Sequence, residues 1–289
     1  YEIAQCLVGS EMCIRDSCER FVKNKRAMIA LVIFLIIALM AIFGPMISPY
    51  SYDGMDTAIM NQRPSAAHWF GTDRFGRDLF TRVLYGARIS LMVGIVTAVI
   101  NTIIGVIYGG IAGYVGGRVD MWMMRLTDIL YSIPELLYII LIMLIFGSNV
   151  RSIIIGVCVA GWISMARMVR SQIITLKEQE FALAAFVLGA NSRRILFKHL
   201  IVNSLGTIIV TVTLMIPQAI FMEAFLSFVG VGISAPMASL GTLAQDARTY
   251  LEIFPYQMLF PVAAICVTIF SLNFIGEGLN SALNPKGKR

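Results

Sequence analysis

Residues 27–47 carry no charged side chain, a run as long as the ~20 residues a helix needs to cross a bilayer. Five more predominantly apolar runs follow, at 89–114, 126–146, 152–168, 200–230 and 257–279. Because lipid offers no hydrogen-bond partners, a spanning segment must satisfy its own backbone, and runs of this length and density do so as α-helices. Only 14% of the residues are charged, against ~25% in soluble proteins, and mean hydropathy is +0.79. An all-α, polytopic membrane protein with six transmembrane helices is therefore expected.

The net charge of +6 needs no nucleic-acid partner, since Lys and Arg collect on the cytoplasmic side of membrane proteins. Arg20, Lys23, Lys25 and Arg26 precede the first run, and Lys286, Lys288 and Arg289 close the chain. Threading six spans with both termini in the cytoplasm puts most basic residues inside; Arg74 to Arg88 is the exception. Residues 1–18 match nothing downstream in character and are expected to be a non-native or disordered leader. The remaining boundaries are 19–48 for the N-terminal segment and first span, 49–88 for an external segment with an interfacial helix, 89–284 for the core, and 285–289 for a basic tail. Neither the five cysteines nor the two histidines have metal-ligand spacing, so no metal site or disulfide framework is suggested.

Within 71–88, Phe75, Leu79, Phe80, Val83, Leu84 and Ala87 share one helical face. Arg74, Arg77, Asp78, Thr81 and Arg88 share the other. That pattern predicts a helix lying at the membrane surface, capped by Thr72 or Asp73 and feeding the second span. The second span carries Gly94, Ala98, Gly105, Gly109 and Gly113, small residues that let helix backbones approach closely in lipid. Gly105, Gly109 and Gly113 are expected to serve helix packing within the chain or an interface with another subunit. Pro134 should bend the third span, with Asp128 at the interface, and Pro217 should kink the fifth, whose Glu223 lies toward the outer end, where a rim or interface role fits at least as well as a buried charge. Residues 231–255 read as an external segment.

The charged insert 177–199 separates two spans. Its apolar part, Phe181 to Leu188, is far too short to cross, so this helix should lie outside the bilayer. Phe181, Ala184, Ala185 and Leu188 form one stripe, Glu178 and Glu180 suit the positive helix start, and Gly189 suits a left-handed ending. Spacing alone fits a helix packed on its own chain as well as one offered to another protein.

A solute pump needs an energy source. The sequence contains no Gly-x4-Gly-Lys-Ser/Thr phosphate loop and no Ser-x-x-Lys, Gly-x-Ser-x-Gly or His-Glu-x-x-His pattern. Its intramembrane acids are too scattered for a proton relay. No catalytic set is expected.

Several motifs carry a resemblance: Phe21-Val-Lys-Asn-Lys-Arg-Ala27, Gly71-Thr-Asp-x-x-Gly-Arg-Asp78, Tyr85-Gly-Ala-Arg-Ile-Ser-Leu91, Gly113-Tyr-Val-Gly-Gly-x-Val-Asp120, Arg125-Leu-Thr-Asp128 and Asn273-Phe-Ile-Gly-Glu-Gly278. The insert adds Ala184, Ala185 and Gly189 at the spacing of a coupling loop, with Leu183 where that loop has Glu and Val202 where it has Pro. Together they resemble the permease subunits of ATP-binding-cassette importers, in the C-type branch of the dipeptide/oligopeptide/nickel group. The resemblance implies the type I importer permease fold in a bacterial inner membrane, a homologous permease partner, two ATPase subunits and an extracytoplasmic solute-binding protein. It implies no cofactor on this chain, with ATP and Mg on partner subunits. It also implies that Glu180, Phe181, Ala184, Ala185, Leu188 and Gly189 dock on an ATPase subunit. Peptide is the cargo expected first, with nickel chelates and glutathione as alternatives; a membrane-embedded enzyme, a channel or a secondary carrier are readings of a different class.

Overall fold

The computed structural model describes residues 18–234 and 237–283. Apart from Cys18, the expected leader lies outside the described residues, as does the basic tail. All regular structure among the described residues is helical, with one isolated bridge between Thr72 and Asp78.

The first long apolar helix, α1 (Lys25–Ile47), begins where the Asn24 side chain accepts a hydrogen bond from the Ala27 amide. It buries only Ala27, Ala30 and Ala41, so it lies at the edge of the bundle and turns most of its apolar surface outward. The long central helix, α2 (Leu79–Val115), is capped by the Asp78 carboxylate at its start and by Gly116, at φ +70°, at its end. At ~1.5 Å per residue its 37 residues reach about 55 Å, well beyond the ~30 Å hydrocarbon core.

The expected third span is two helices, α3 (Gly117–Ser132) and α4 (Glu135–Phe146), bent by 76°. Pro134 has no amide proton and drives Ile133 out of helical backbone, to φ −91° and ψ 126°. Next come α5 (Val150–Lys177), broken at Gly161, and the short α6 (Glu180–Val187). Helix α7 (Ser192–Val229) carries a π-turn at Ile195–Leu200 and Pro217 in its interior. It stops at Gly230, which is left-handed at φ +96°. Helices α8 (Leu240–Arg248) and α9 (Tyr256–Leu283) complete the chain. Among the described residues five helices are long and apolar enough to cross a membrane, six if the bent α3–α4 pair is one span.

Helix α2 forms the axis. Its Gly105, Gly109 and Gly113 face the second half of α5, while its other faces meet α7 and α1. Met165, Val169 and Ile173 of α5 close one apolar group with Leu196 and Leu200 of α7. Val93, Ile139, Ile153 and Leu226 close another, and Leu79, Leu91, Ile220, Leu240 and Leu272 a third.

Two expectations change here. Residues 71–78 are not the start of an interfacial helix but a tight turn with Gly71 and Gly76 at positive φ, and α2 starts at Leu79. The Asp73 carboxylate accepts from the amides of Phe75 and Arg77, which holds the turn against helix formation. In addition, residues 231–255, expected as an external segment, contain α8, which opens on a capping box between Ser239 and Thr242 and buries Leu240, Leu243, Ala244 and Ala247.

Candidate functional site

The Lys177 ammonium group donates to the Tyr114 carbonyl, which places the α5–α6 junction beside the C-terminal end of α2. Ser239 and Leu240 approach Gly86, so α8 lies beside the other end of α2. The chain thus presents two functional ends with a cavity between them.

At the first end, α6 forms where the sequence predicts it. Glu180 is in its first turn, Gly189 sits at φ +81°, and the Ala190 amide bonds back to the Ala185 carbonyl. The predicted stripe, however, is divided. Phe181 and Ala185 turn inward with buried Ala182 and pack on Ile173, Leu196 and Leu200, whereas Ala184 and Leu188 face out with Glu180 and Gly189. The outward face is instead built on Leu183, Phe186, Val187 and Leu188, exposed by 55%, 70%, 82% and 72%. Four large apolar side chains side by side on a helix too short to span form a surface that calls for a partner. Below it, Arg170 grips Asp120 with two nitrogens, and Arg167 pairs with Asp128 at 2.9 Å, joining α5 to α3.

The glycine column is internal. A methyl group at Gly105, Gly109 or Gly113 would run into Met165, Ala166 or Arg170 of α5 respectively. These glycines therefore lie in the close packing of α2 on α5.

At the opposite end, three arginines of the basic cluster that sequence left as an exception, Arg74, Arg77 and Arg82, are faced by acids through tertiary contacts, while Arg88 is exposed. Arg77 Nε lies 2.6 Å from Asp73, and Arg74, Arg77 and Arg82 all reach Asp246 of α8 within 3.6–3.9 Å. Arg82 also donates to the Tyr52 carbonyl. Burial, followed by neighbouring Tyr85 stacked on its ring, raises the Tyr52 phenol above its ordinary pKa. His68 Nδ1 lies 2.9 Å from Asp78, and Gln257 and Tyr256 at the start of α9 bond back to the chain around Asn61, Gln62 and Thr72. Of the two placements the sequence left open for Glu223, rim or buried, the structure takes the buried one; its carboxyl group accepts from Ser90 at 2.6 Å and Ser227 at 2.8 Å, with Ser239 also in contact.

Between the two ends is a cavity of about 710 Å³, lined among others by Asn101, Glu135, Ser164, Gln218 and Asn273. It collects the irregular points of the bundle, with Pro134, Gly161 and Pro217 all on its wall. Sequence reasoning did not assemble these residues into a site, although Pro134 and Pro217 already marked where backbone regularity fails.

Residues 105–289 match the family described as binding-protein-dependent transport system inner membrane component. Residues 14–64 match the N-terminal TM domain of oligopeptide transport permease C. The chain is 48% identical, over 94% of its length and 89% of the relative's, to the oligopeptide transport system permease protein OppC of Bacillus subtilis. It is 48% identical to the dipeptide transport system permease protein DppC of the same organism, over 95% of this chain and 86% of that one. OppC of Escherichia coli K12 is 45% identical, with 95% and 91% covered.

Proposed function

Because the chain belongs to the family of binding-protein-dependent transport system inner membrane components, we propose that it is one of two permease subunits of a peptide importer driven by ATP hydrolysis on separate subunits. The names of its oligopeptide and dipeptide relatives support the cargo. The absence of a phosphate-loop pattern from the sequence supports placing ATP and Mg on two partner ATPases. A homologous permease and an extracytoplasmic binding protein complete the assembly, with both termini and α6 on the cytoplasmic side.

One observation carries the coupling role: the outward apolar face of α6. In this reading Leu183, Ala184, Phe186, Val187 and Leu188 enter a groove of the ATPase, Glu180 sits at the rim, and Gly189 sets the turn. Phe181, Ala182 and Ala185 anchor the helix to α5 and α7. A push on α6 then reaches two helices that border the cavity, α5 at its break at Gly161 and α7 at Pro217, as rigid-body alternating access requires.

Val187→Glu tests this. Because Val187 is 82% exposed, the chain should insert and pair normally, while peptide uptake and peptide-stimulated ATP hydrolysis fall at least tenfold. Uptake at the wild-type rate in proteoliposomes would overturn the docking role.

A further inference from the structure

A second space lies apart from the central cavity, at the Ile47 end of α1. It is a groove of about 450 Å³, walled by Met40, Gly44 and Ile47 of α1, Ala67 and Trp69 of the loop that follows, and Leu84 of α2, among others. Gly44 lets α1 approach α2 here, since a methyl group in its place would run into Leu84. Ser48 and Asp78, polar residues on the wall, are already matched. Ser48 Oγ and Thr81 Oγ1 lie 2.6 Å apart, and the Asp78 carboxylate accepts from the Thr81 amide at 2.8 Å and lies 2.9 Å from His68 Nδ1. Among the described residues lining the groove there is no Lys or Arg, so the space suits an uncharged, apolar occupant. Met40 is seven residues, or about 10 Å, inside the end of α1, which takes the groove from the surface down into the bilayer. At that depth only lipid or another spanning segment can fill it.

Three observations favour lipid. The groove continues the outward surface of α1, the least buried of the candidate spans, where Met46 and Ile47 are exposed by 76% and 79%. No residue of α1 lines the central cavity, so the groove stands apart from the path. On its loop side are Tyr50 and Trp69, both exposed, residue types whose rings settle at the level of lipid headgroups. We infer that the groove binds one acyl chain of a phospholipid from the leaflet on the side opposite α6, with the headgroup outside it, level with Tyr50 and Trp69. The chain fills the space beside the contact of Gly44 with Leu84 and completes the packing of α1 on α2. This inference needs only that α1 spans the membrane, and it holds whatever the cargo.

The test titrates the detergent-solubilised protein, both as the full chain alone and as the transporter it assembles into, with a phosphatidylcholine whose acyl chains carry bromine, which quenches an indole on contact. Subtracting the signal of the Trp69→Phe protein isolates Trp69 from every other tryptophan. Its quenching is expected to saturate at one lipid per copy of this chain, in both preparations. Ala67→Leu and Met40→Phe add bulk at two exposed positions of the wall, so each should fold and should raise the lipid needed for half-quenching roughly fivefold. Quenching that grows in proportion to added lipid without a saturating step, or a step unchanged in both filled variants, overturns the assignment. A step seen with the chain alone and missing from the assembled transporter overturns it as well, because a partner subunit then covers the groove.

Discussion

Glu223 shows how much one side chain can organise. Its carboxyl group joins Ser90 of α2 and Ser227 of its own helix, close to Ser239 at the start of α8, so three elements share one acceptor pair. Gly241 assists by letting α8 approach the Ala224 carbonyl more closely than any side chain would allow. Removing the carboxyl group strands buried hydroxyls and leaves a void, so Glu223→Ala should lower stability by about 3 kcal/mol. Glu223→Gln keeps an acceptor and should cost clearly less. Thermal unfolding of the detergent-solubilised protein orders the two; equal midpoints for Glu223→Ala and the native chain would show that the cluster contributes nothing. Sequence counting placed this residue toward one end of its span, and the count holds. What it could not supply is the arrival of α8 over that end.

For the elements, the decisive pair is α2 against α5. Gly105, Gly109 and Gly113 recur every four residues and bring the α2 backbone onto Trp162, Ala166 and Arg170. In lipid the gain from such contact is close van der Waals packing rather than exclusion of water, and bulk at the seam removes it. Gly109→Leu should therefore separate the two helices and cost about 3 kcal/mol. It should appear as loss of the monodisperse folded chain on size exclusion, even without any partner subunit. A well-folded Gly109→Leu chain that fails only to pair would return the glycines to the subunit interface. The same seam stabilises the α6 end, because α5 runs from it to Lys177, which bonds the last turn of α2.

The whole molecule is held together at the end opposite α6 by contacts remote in sequence. Asp246 of α8 faces Arg74, Arg77 and Arg82, and Gln257 of α9 bonds the Thr72 carbonyl in the turn before α2. Asp246 is partly exposed, so solvent screens it, and Asp246→Asn should cost only about 1 kcal/mol. The loss should shrink as salt rises, a dependence that denaturation at two ionic strengths would reveal; a salt-independent loss would point to packing instead. By itself the sequence determined the number and limits of the apolar runs, the ends of α6 and α2 at glycines, and the break at Pro134, because these follow from local backbone chemistry and from the need of every spanning segment to satisfy its own hydrogen bonds. Only the tertiary structure decided which face of α6 looks outward, where Glu223 is buried, which acids face Arg74, Arg77 and Arg82, and that residues 71–78 turn rather than coil into a helix. The physical reason is that lipid-facing and protein-facing surfaces of a spanning helix are both apolar, so periodicity cannot tell them apart, and neighbours distant in sequence make the choice.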